Sequence, residues 1–394
     1  MVVFKLLVAF ALMVVLIRMK VPVGVTLIVG TLLLGLMFGM SVEELGLSIA
    51  RSVIDLTTIR LVVLVAMVIL LSEVMRQSGA LKKIEGSVKL LFKDSRWGLA
   101  TIPALIGLMP MPSGALISAP MIEPIADELR LDAPHRTFVN YWFRHIWEYS
   151  WPLYQALIIA AALLKVHVNS LIVRQFPLSI IAILIGYLFA IRPISRTHVR
   201  TKLDVRNGLR ILVEAVYPLL IVLVISIIFG VELVIGLAIA LVAAMLPIYK
   251  SLNWKKLIRS IPLGTVLVVF AVMAFKSVLN DSGAIGRLPT ELSNIGLHPV
   301  AIVVLTPMLV GLLTGVSFSF VGIGFPLLLP FLNSWTLIVL AYLSGFVGVL
   351  LSPVHLCLIF SARYYHAPLS AVYKLLYVPV GLLMALGALW TLAI

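Results

Sequence analysis

Cysteine is almost absent from this chain. The single one, Cys357, sits inside an apolar run, so disulfide frameworks and Cys-based metal sites are excluded. Charge is scarce too: 12% of the residues are Asp, Glu, Lys or Arg, against 62% hydrophobic. A soluble protein of that composition could not keep its apolar surface from water, and the mean hydropathy of +1.16 marks a polytopic membrane protein. Acidic residues are scarcest, 16 against 30 basic ones, and the net charge is +14. The Lys and Arg lie in short loops between apolar runs, without a basic domain or interleaved aromatics. That pattern is positive-inside topology, and no nucleic-acid partner is expected. No ATP-binding motif, haem signature or Ser-His-Asp pattern is visible, and the glycines of residues 322–324 do not lie between a strand and a helix. No span carries the continuous polar stripe that a passive channel would need. The first apolar run, residues 2–16, is followed by Arg18 and Lys20 and lacks a small-residue cleavage site, so it reads as a span and not a signal peptide.

What the sequence does contain is a duplication. Residues 103–113, PALIGLMPMPS, return 204 positions later as residues 307–317, PMLVGLLTGVS. Pro103, Leu105, Gly107, Leu108 and Ser113 thereby find Pro307, Leu309, Gly311, Leu312 and Ser317. The same offset carries Ser78-Gly79-Ala80 onto Ser282-Gly283-Ala284, and an offset of 201 superposes Tyr141 and Pro152 on Tyr342 and Pro353. The chain is two copies of one unit.

The first copy, residues 1–192, has apolar spans near 2–17, 22–40, 56–75, 139–164 and 175–192, with a broken region at 97–125. The second, residues 211–394, has spans near 211–229, 232–249, 262–280, 335–362 and 368–393, with a broken region at 299–330. Residues 193–210 form a basic linker between them. The first broken region holds roughly 28 residues, too many for one crossing and too few for two, and suits a re-entrant hairpin of two half-helices. The charges decide for hairpins: only then do the basic stretches 82–96 and 192–210 fall on one face, taken as cytoplasmic. Five spans per copy then invert the second copy relative to the first and leave both termini outside. The expected fold is an all-α polytopic membrane protein of two inverted repeats. Irregular backbone at membrane depth must line something polar. Ser150-Trp151-Pro152 and Ser352-Pro353 interrupt the spans after the hairpins, because proline frees the carbonyl one turn earlier. Two tips and two broken helices should therefore meet. Residues 81–92 and 254–259 look amphipathic and suit interfacial helices.

Glu148 is the sharpest single residue, about one turn before the Pro152 break and beside Arg144 and His145. An ionisable group in such a span is by default functional and suggests proton or cation coupling. The alternatives are an i,i+4 ion pair with Arg144 and a metal site with His145, the latter weak without a third ligand. His355, two residues after the second break, could bind substrate or be a hydrogen-bonded helix residue. Ser113 and Ser317 either bind a ligand at the tips or cap the helices that follow. Glu73 and Lys276, near the ends of equivalent spans, read as snorkelling side chains.

This constellation resembles the ion transporter superfamily, which includes divalent-anion/sodium symporters, gluconate permeases and arsenite pumps. The resemblance covers nearly the whole chain and rests on architecture: five spans and one hairpin per inverted repeat, with a discontinuous helix after each hairpin. It implies an elevator-type mechanism, a homodimer in the membrane lipid, and a cation held between each tip and the following broken helix. By position it places Ser113, Gly114 and Ser150 at a first cation or substrate site and Ser317, Ser319 and Ser352 at a second, with Na⁺ as an implied ion. The dicarboxylate members carry Ser-Asn-Thr at the tips. Here the tips read Met-Pro-Ser-Gly and Gly-Val-Ser-Phe-Ser, so the resemblance does not extend to dicarboxylate specificity.

The expected function is a secondary active transporter of the cell membrane, not an enzyme, moving a small organic anion with Na⁺ or H⁺. Arg144, His355, Gly114 and the tip serines would contact substrate, and Glu148, Ser150, Ser352, Ser113 and Ser317 would serve coupling. No metal beyond Na⁺ is expected. The rival is an intramembrane enzyme or carrier for a lipid-linked substrate, with His145, Glu148 and His355 as acid/base groups.

Overall fold

Apolar runs punctuated by glycine, proline and capping residues give helices and, among the described residues, no strand. The computed structural model describes residues 2–111, 114–195, 203–261, 263–294 and 298–394. The first half contributes α1 (Val2–Arg18), α2 (Val23–Met37), α3 (Val42–Ile54), α4 (Leu56–Gln77), α5 (Ala80–Leu91), α6 (Ser95–Gly107), α7 (Gly114–Glu128), α8 (Ala133–His145), α9 (Gln155–Leu164) and α10 (Val168–Ile191). The second contributes α11 (Val205–Ile228), α12 (Leu233–Ile248), α13 (Trp254–Arg259), α14 (Leu263–Asp281) and α15 (Ala284–Asn294). It continues with α16 (Pro299–Thr314), α17 (Ser317–Leu328), α18 (Trp335–Leu350), α19 (Leu356–Tyr364) and α20 (Leu369–Thr391).

Among the described residues, five stretches are long and apolar enough to cross a membrane: Leu56–Gln77, Val168–Ile191, Val205–Ile228, Trp254–Asp281 and Leu369–Thr391. The chain is an all-α membrane protein. The other expected spans are shorter or interrupted; α1 has 17 residues and α2 has 15, where about 20 reach across the hydrocarbon.

Local chemistry sets the boundaries. Ser41 and Glu44 close a capping box at the start of α3, the Ser41 hydroxyl accepting from Glu44 N–H at 3.2 Å and Glu44 accepting from Ser41 N–H at 2.7 Å. These bonds hold the Glu44 carboxyl below its usual range. α3 is absent from the expected spans because its apolar residues alternate with charge. Gly79 and Gly283 turn the chain from α4 into α5 and from α14 into α15 with φ of 77° and 69°, a left-handed conformation that a side chain would strain. The repeated Ser-Gly-Ala is thus a repeated turn. Lys276 donates to the Leu163 carbonyl at 3.1 Å, where the C-terminal end of α9 favours a cation. Glu73 is buried against Arg76 and Gln77, held at 2.7 and 2.8 Å.

The helices pack in two groups. In one, α2 lies on α14, α4 on α12 and α5 on α11, so the halves exchange partners. In the other, α6 packs on α7 and α8, α16 on α18, and α7 and α8 on α19. Apolar burial gives little net drive between helices in lipid, so close approach at small residues matters. A Cβ on Gly107 would strike the Arg144 carbonyl; one on Gly311 would strike the Gly345 carbonyl. Those two contacts are related by the repeat offsets, and Gly348 adds a third, against the Met308 carbonyl.

Both broken helices are broken more widely than their prolines alone demand. α8 stops at His145 and α9 starts at Gln155; α18 stops at Leu350 and α19 starts at Leu356. Pro152 removes the donor for the Glu148 carbonyl, which instead accepts from the Tyr342 hydroxyl at 2.9 Å. In return, the Tyr141 hydroxyl donates to the Leu350 carbonyl at 3.0 Å. Each break is held by the tyrosine of the other half.

Candidate functional site

Where the breaks meet, a cavity of about 310 Å³ opens between the two packing groups. Ile69 of α4 and Thr265 of α14 face it from one group. The other supplies Pro110 and Met111 after α6, Arg144, His145 and Glu148 around the first break, Gly315 to Phe318 before and in α17, and His355 to Cys357 at the second break. Larger clefts of about 360 and 410 Å³ lie beside Arg363 and beside Trp335, and neither joins ionisable residues of both halves.

Arg144 lies in the last turn of α8 and is only 3% exposed. Its Nη2 donates to the Met111 carbonyl at 3.2 Å, and its Nε has no hydrogen-bond partner. Gly114 makes room for it, since a Cβ there would run into the guanidinium. Among the described residues no carboxylate lies within 4.0 Å of Arg144. The i,i+4 ion pair with Glu148 is therefore not formed. Its premise was a continuous helix, and the helix ends at His145, so the 3.6-residue spacing no longer brings the two side chains together.

Glu148 sits inside the break and not a turn before it, and is 6% exposed. One carboxylate oxygen accepts from the Ser317 hydroxyl at 2.5 Å and the other lies 3.7 Å from His145 Nε2. His145 and His355 face one another with Nε2 atoms 3.1 Å apart, and the Nδ1 atoms contact the Tyr141 and Gly315 carbonyls at 2.5 and 2.7 Å. Gly315 itself has φ of 64°, and a Cβ there would come within 2.8 Å of His355 backbone.

The other candidates scatter. Ser150 is bonded to Ser179 at 2.8 Å and Ser352 donates to the Leu312 carbonyl at 2.7 Å, so both hydroxyls brace the breaks and neither residue lines the cavity. Ser319, the third residue of α17, is fully buried with its hydroxyl unpartnered, also outside the cavity wall. Ser113 lies outside the described residues. Sequence reasoning missed Tyr154, whose hydroxyl donates to the Gly107 carbonyl at 2.6 Å, and Cys357. The 201 offset would have found the first, since it carries Tyr154 onto His355. No periodicity marks Ile69 or Thr265 as cavity residues, because their helices are apolar on every side.

Helix N-termini also point here. α9, α17 and α19 begin at the cavity after Tyr154, Val316 and His355, and none of these residues caps its helix through a side chain. Their free N–H groups add partial positive charge to that of Arg144.

Over residues 2–394 the chain matches the model of a family described as "Protein of unknown function (DUF401)", and it belongs to that family. No curated protein matches the sequence.

Proposed function

We propose that the chain is a secondary active transporter of the ion transporter superfamily, moving a small organic anion with Na⁺ or H⁺ by elevator-type alternating access. The observation that carries this is Arg144: a buried guanidinium without a carboxylate partner, at the wall of a cavity of about 310 Å³. A buried cation is costly unless an opposite charge joins it, and a bound anion supplies that charge. The uncapped helix N-termini favour the same ligand.

The reciprocal tyrosine bonds, the exchanged helix partners and the paired glycine contacts support two inverted repeats. α6 with α7 and α16 with α17 are the re-entrant hairpins of this reading. The two packing groups correspond to a scaffold and a transport unit, and the cavity lies on their boundary, where alternating access requires it. Ser317 and Glu148 offer the oxygens that Na⁺ prefers. The basic loops face the cytoplasm, both termini lie outside, and the protein works as a homodimer. An enzyme acting on a lipid-linked substrate would also need His145, Glu148 and His355 together, as they are, but would leave the reciprocal contacts between halves without a purpose.

Thermal unfolding of the purified protein against a panel of anions, with Na⁺ replaced by choline and pH varied, tests the reading. A ligand at a hundred times its Kd adds about 2.7 kcal/mol of apparent stability. One anion should stabilise the protein in a Na⁺- or acid-dependent way and then be taken up by proteoliposomes. Stabilisation by a lipid head group alone would overturn it.

A further inference from the structure

We infer that His145, His355 and Cys357 form a binding site for one transition-metal ion of the Zn²⁺ class. Their donor atoms all lie within 4.8 Å of one another, although they come from segments some two hundred residues apart. The tautomers decide what these atoms can do. A carbonyl only accepts, so the contacts of His145 Nδ1 with Tyr141 O and of His355 Nδ1 with Gly315 O place a hydrogen on each Nδ1. Each neutral ring then presents a bare Nε2 lone pair, and the two lone pairs face each other at 3.1 Å in a site where the rings are 2% and 7% exposed. The Cys357 thiol is hydrogen-bonded to His145, so two ring nitrogens and one sulfur converge on a single point that one electrophile could share. Binding of the other ring nitrogen to a backbone carbonyl is also how metal-ligating histidines are oriented.

The spacing fits. With metal–nitrogen bonds of about 2.0–2.1 Å, two nitrogens on a tetrahedral ion lie roughly 3.3 Å apart. Imidazole and thiolate donors select Zn²⁺, Co²⁺ or Cu⁺ and not Na⁺, Mg²⁺ or Ca²⁺, which take oxygen. Three protein ligands leave a fourth position, and Glu148, with an oxygen 3.7 Å from His145 Nε2, is the nearest carboxylate to it. The ion would tie the two breaks together, since His145 ends α8 and the other two ligands open α19. Reading the cysteine count alone sets such a site aside; one thiol suffices when the histidines come from both halves. The inference stands on side-chain geometry and not on the transport reading, so either can fail alone.

Cys357 is the chain's single cysteine, which makes it a specific reporter. On the full-length protein in detergent, with any affinity tag removed, Zn²⁺ should slow maleimide alkylation of Cys357 by at least ~10-fold, and a chelator should restore it. Co²⁺ should bind one per chain and give a sulfur-to-cobalt charge-transfer band that Cys357→Ser abolishes. His145→Gln and His355→Gln should each weaken Zn²⁺ binding by at least ~10-fold. An alkylation rate indifferent to Zn²⁺ would overturn the site even if metal bound elsewhere, and it needs no variant to fold. Absence of the cobalt band would overturn it equally, leaving a proton shared by the two histidines as the electrophile.

Discussion

The two breaks occupy equivalent places in the two halves and are built differently. The first spans residues 146–154 and is bordered by Arg144 with Glu148 inside it; the second spans residues 351–355 and contains no Asp, Glu, Lys or Arg. At the 201 offset the counterpart of Arg144 is Gly345, and the space an arginine would need there is filled by the Phe320 ring. Conversely, α16 and α18 touch backbone to backbone at two glycines, where α6 meets α8 at one. The two halves share reciprocal tyrosine-to-carbonyl bonds at their breaks and divide other tasks: the first carries the charge and the second carries the tight packing.

The largest effect should come from the charge. Arg144→Gln should weaken anion binding by about 2–3 kcal/mol, roughly 30- to 150-fold, since charge-assisted hydrogen bonds are worth that much when desolvated. Anion-induced stabilisation measured by thermal unfolding would read this, and an unaltered response would remove the division between the halves. Packing comes next. Gly311→Ala should destabilise the unliganded protein by about 2 kcal/mol, because the added methyl meets the backbone of α18, which cannot yield like a flexible side chain. A melting curve identical to that of the parent would show that α16 and α18 are not in contact. Gly114→Ala sharpens the comparison from the other side. The atoms nearest its methyl are those of the Arg144 guanidinium, a flexible group, so anion affinity should fall by ~10-fold, or ~1.4 kcal/mol, while the unliganded melt stays nearly unchanged.

Most of the helix layout was legible because it depends on local signals: apolar length, Ser-Gly-Ala turns and the prolines at 152 and 353. α3 escaped because a helix with charge on one face has too low a hydropathy to register as a span, although Ser41 and Glu44 announce its start. The site was legible in outline, since Arg144, Glu148, Ser317 and His355 do come together. Its wiring was not. The distance from Glu148 to Ser317 and the meeting of His145 with His355 depend on how two halves dock, which no spacing within one half encodes. Ser150 and Ser352, read as ligands, are spent on Ser179 and on the Leu312 carbonyl because breaking a helix creates local hydrogen-bonding needs that the nearest hydroxyls meet first.

The smallest effects test whether the frame is symmetric in energy as well as in form. Tyr342→Phe removes the donor to the Glu148 carbonyl and Tyr141→Phe the donor to the Leu350 carbonyl, each with almost no change of volume. Each should cost about 1 kcal/mol, the usual penalty for a buried carbonyl deprived of its partner. The double variant should cost their sum to within ~0.5 kcal/mol if the two breaks are held independently. A larger loss for Tyr342→Phe would have a definite meaning. The Glu148 carbonyl is the one freed by Pro152, and its residue also holds the carboxylate bonded to Ser317, so releasing it would disturb the site along with the backbone. Anion-induced stabilisation measured on the same two variants separates the cases: loss confined to Tyr342→Phe would place the first break under the control of the second half, and equal retention would leave the tyrosines as braces only.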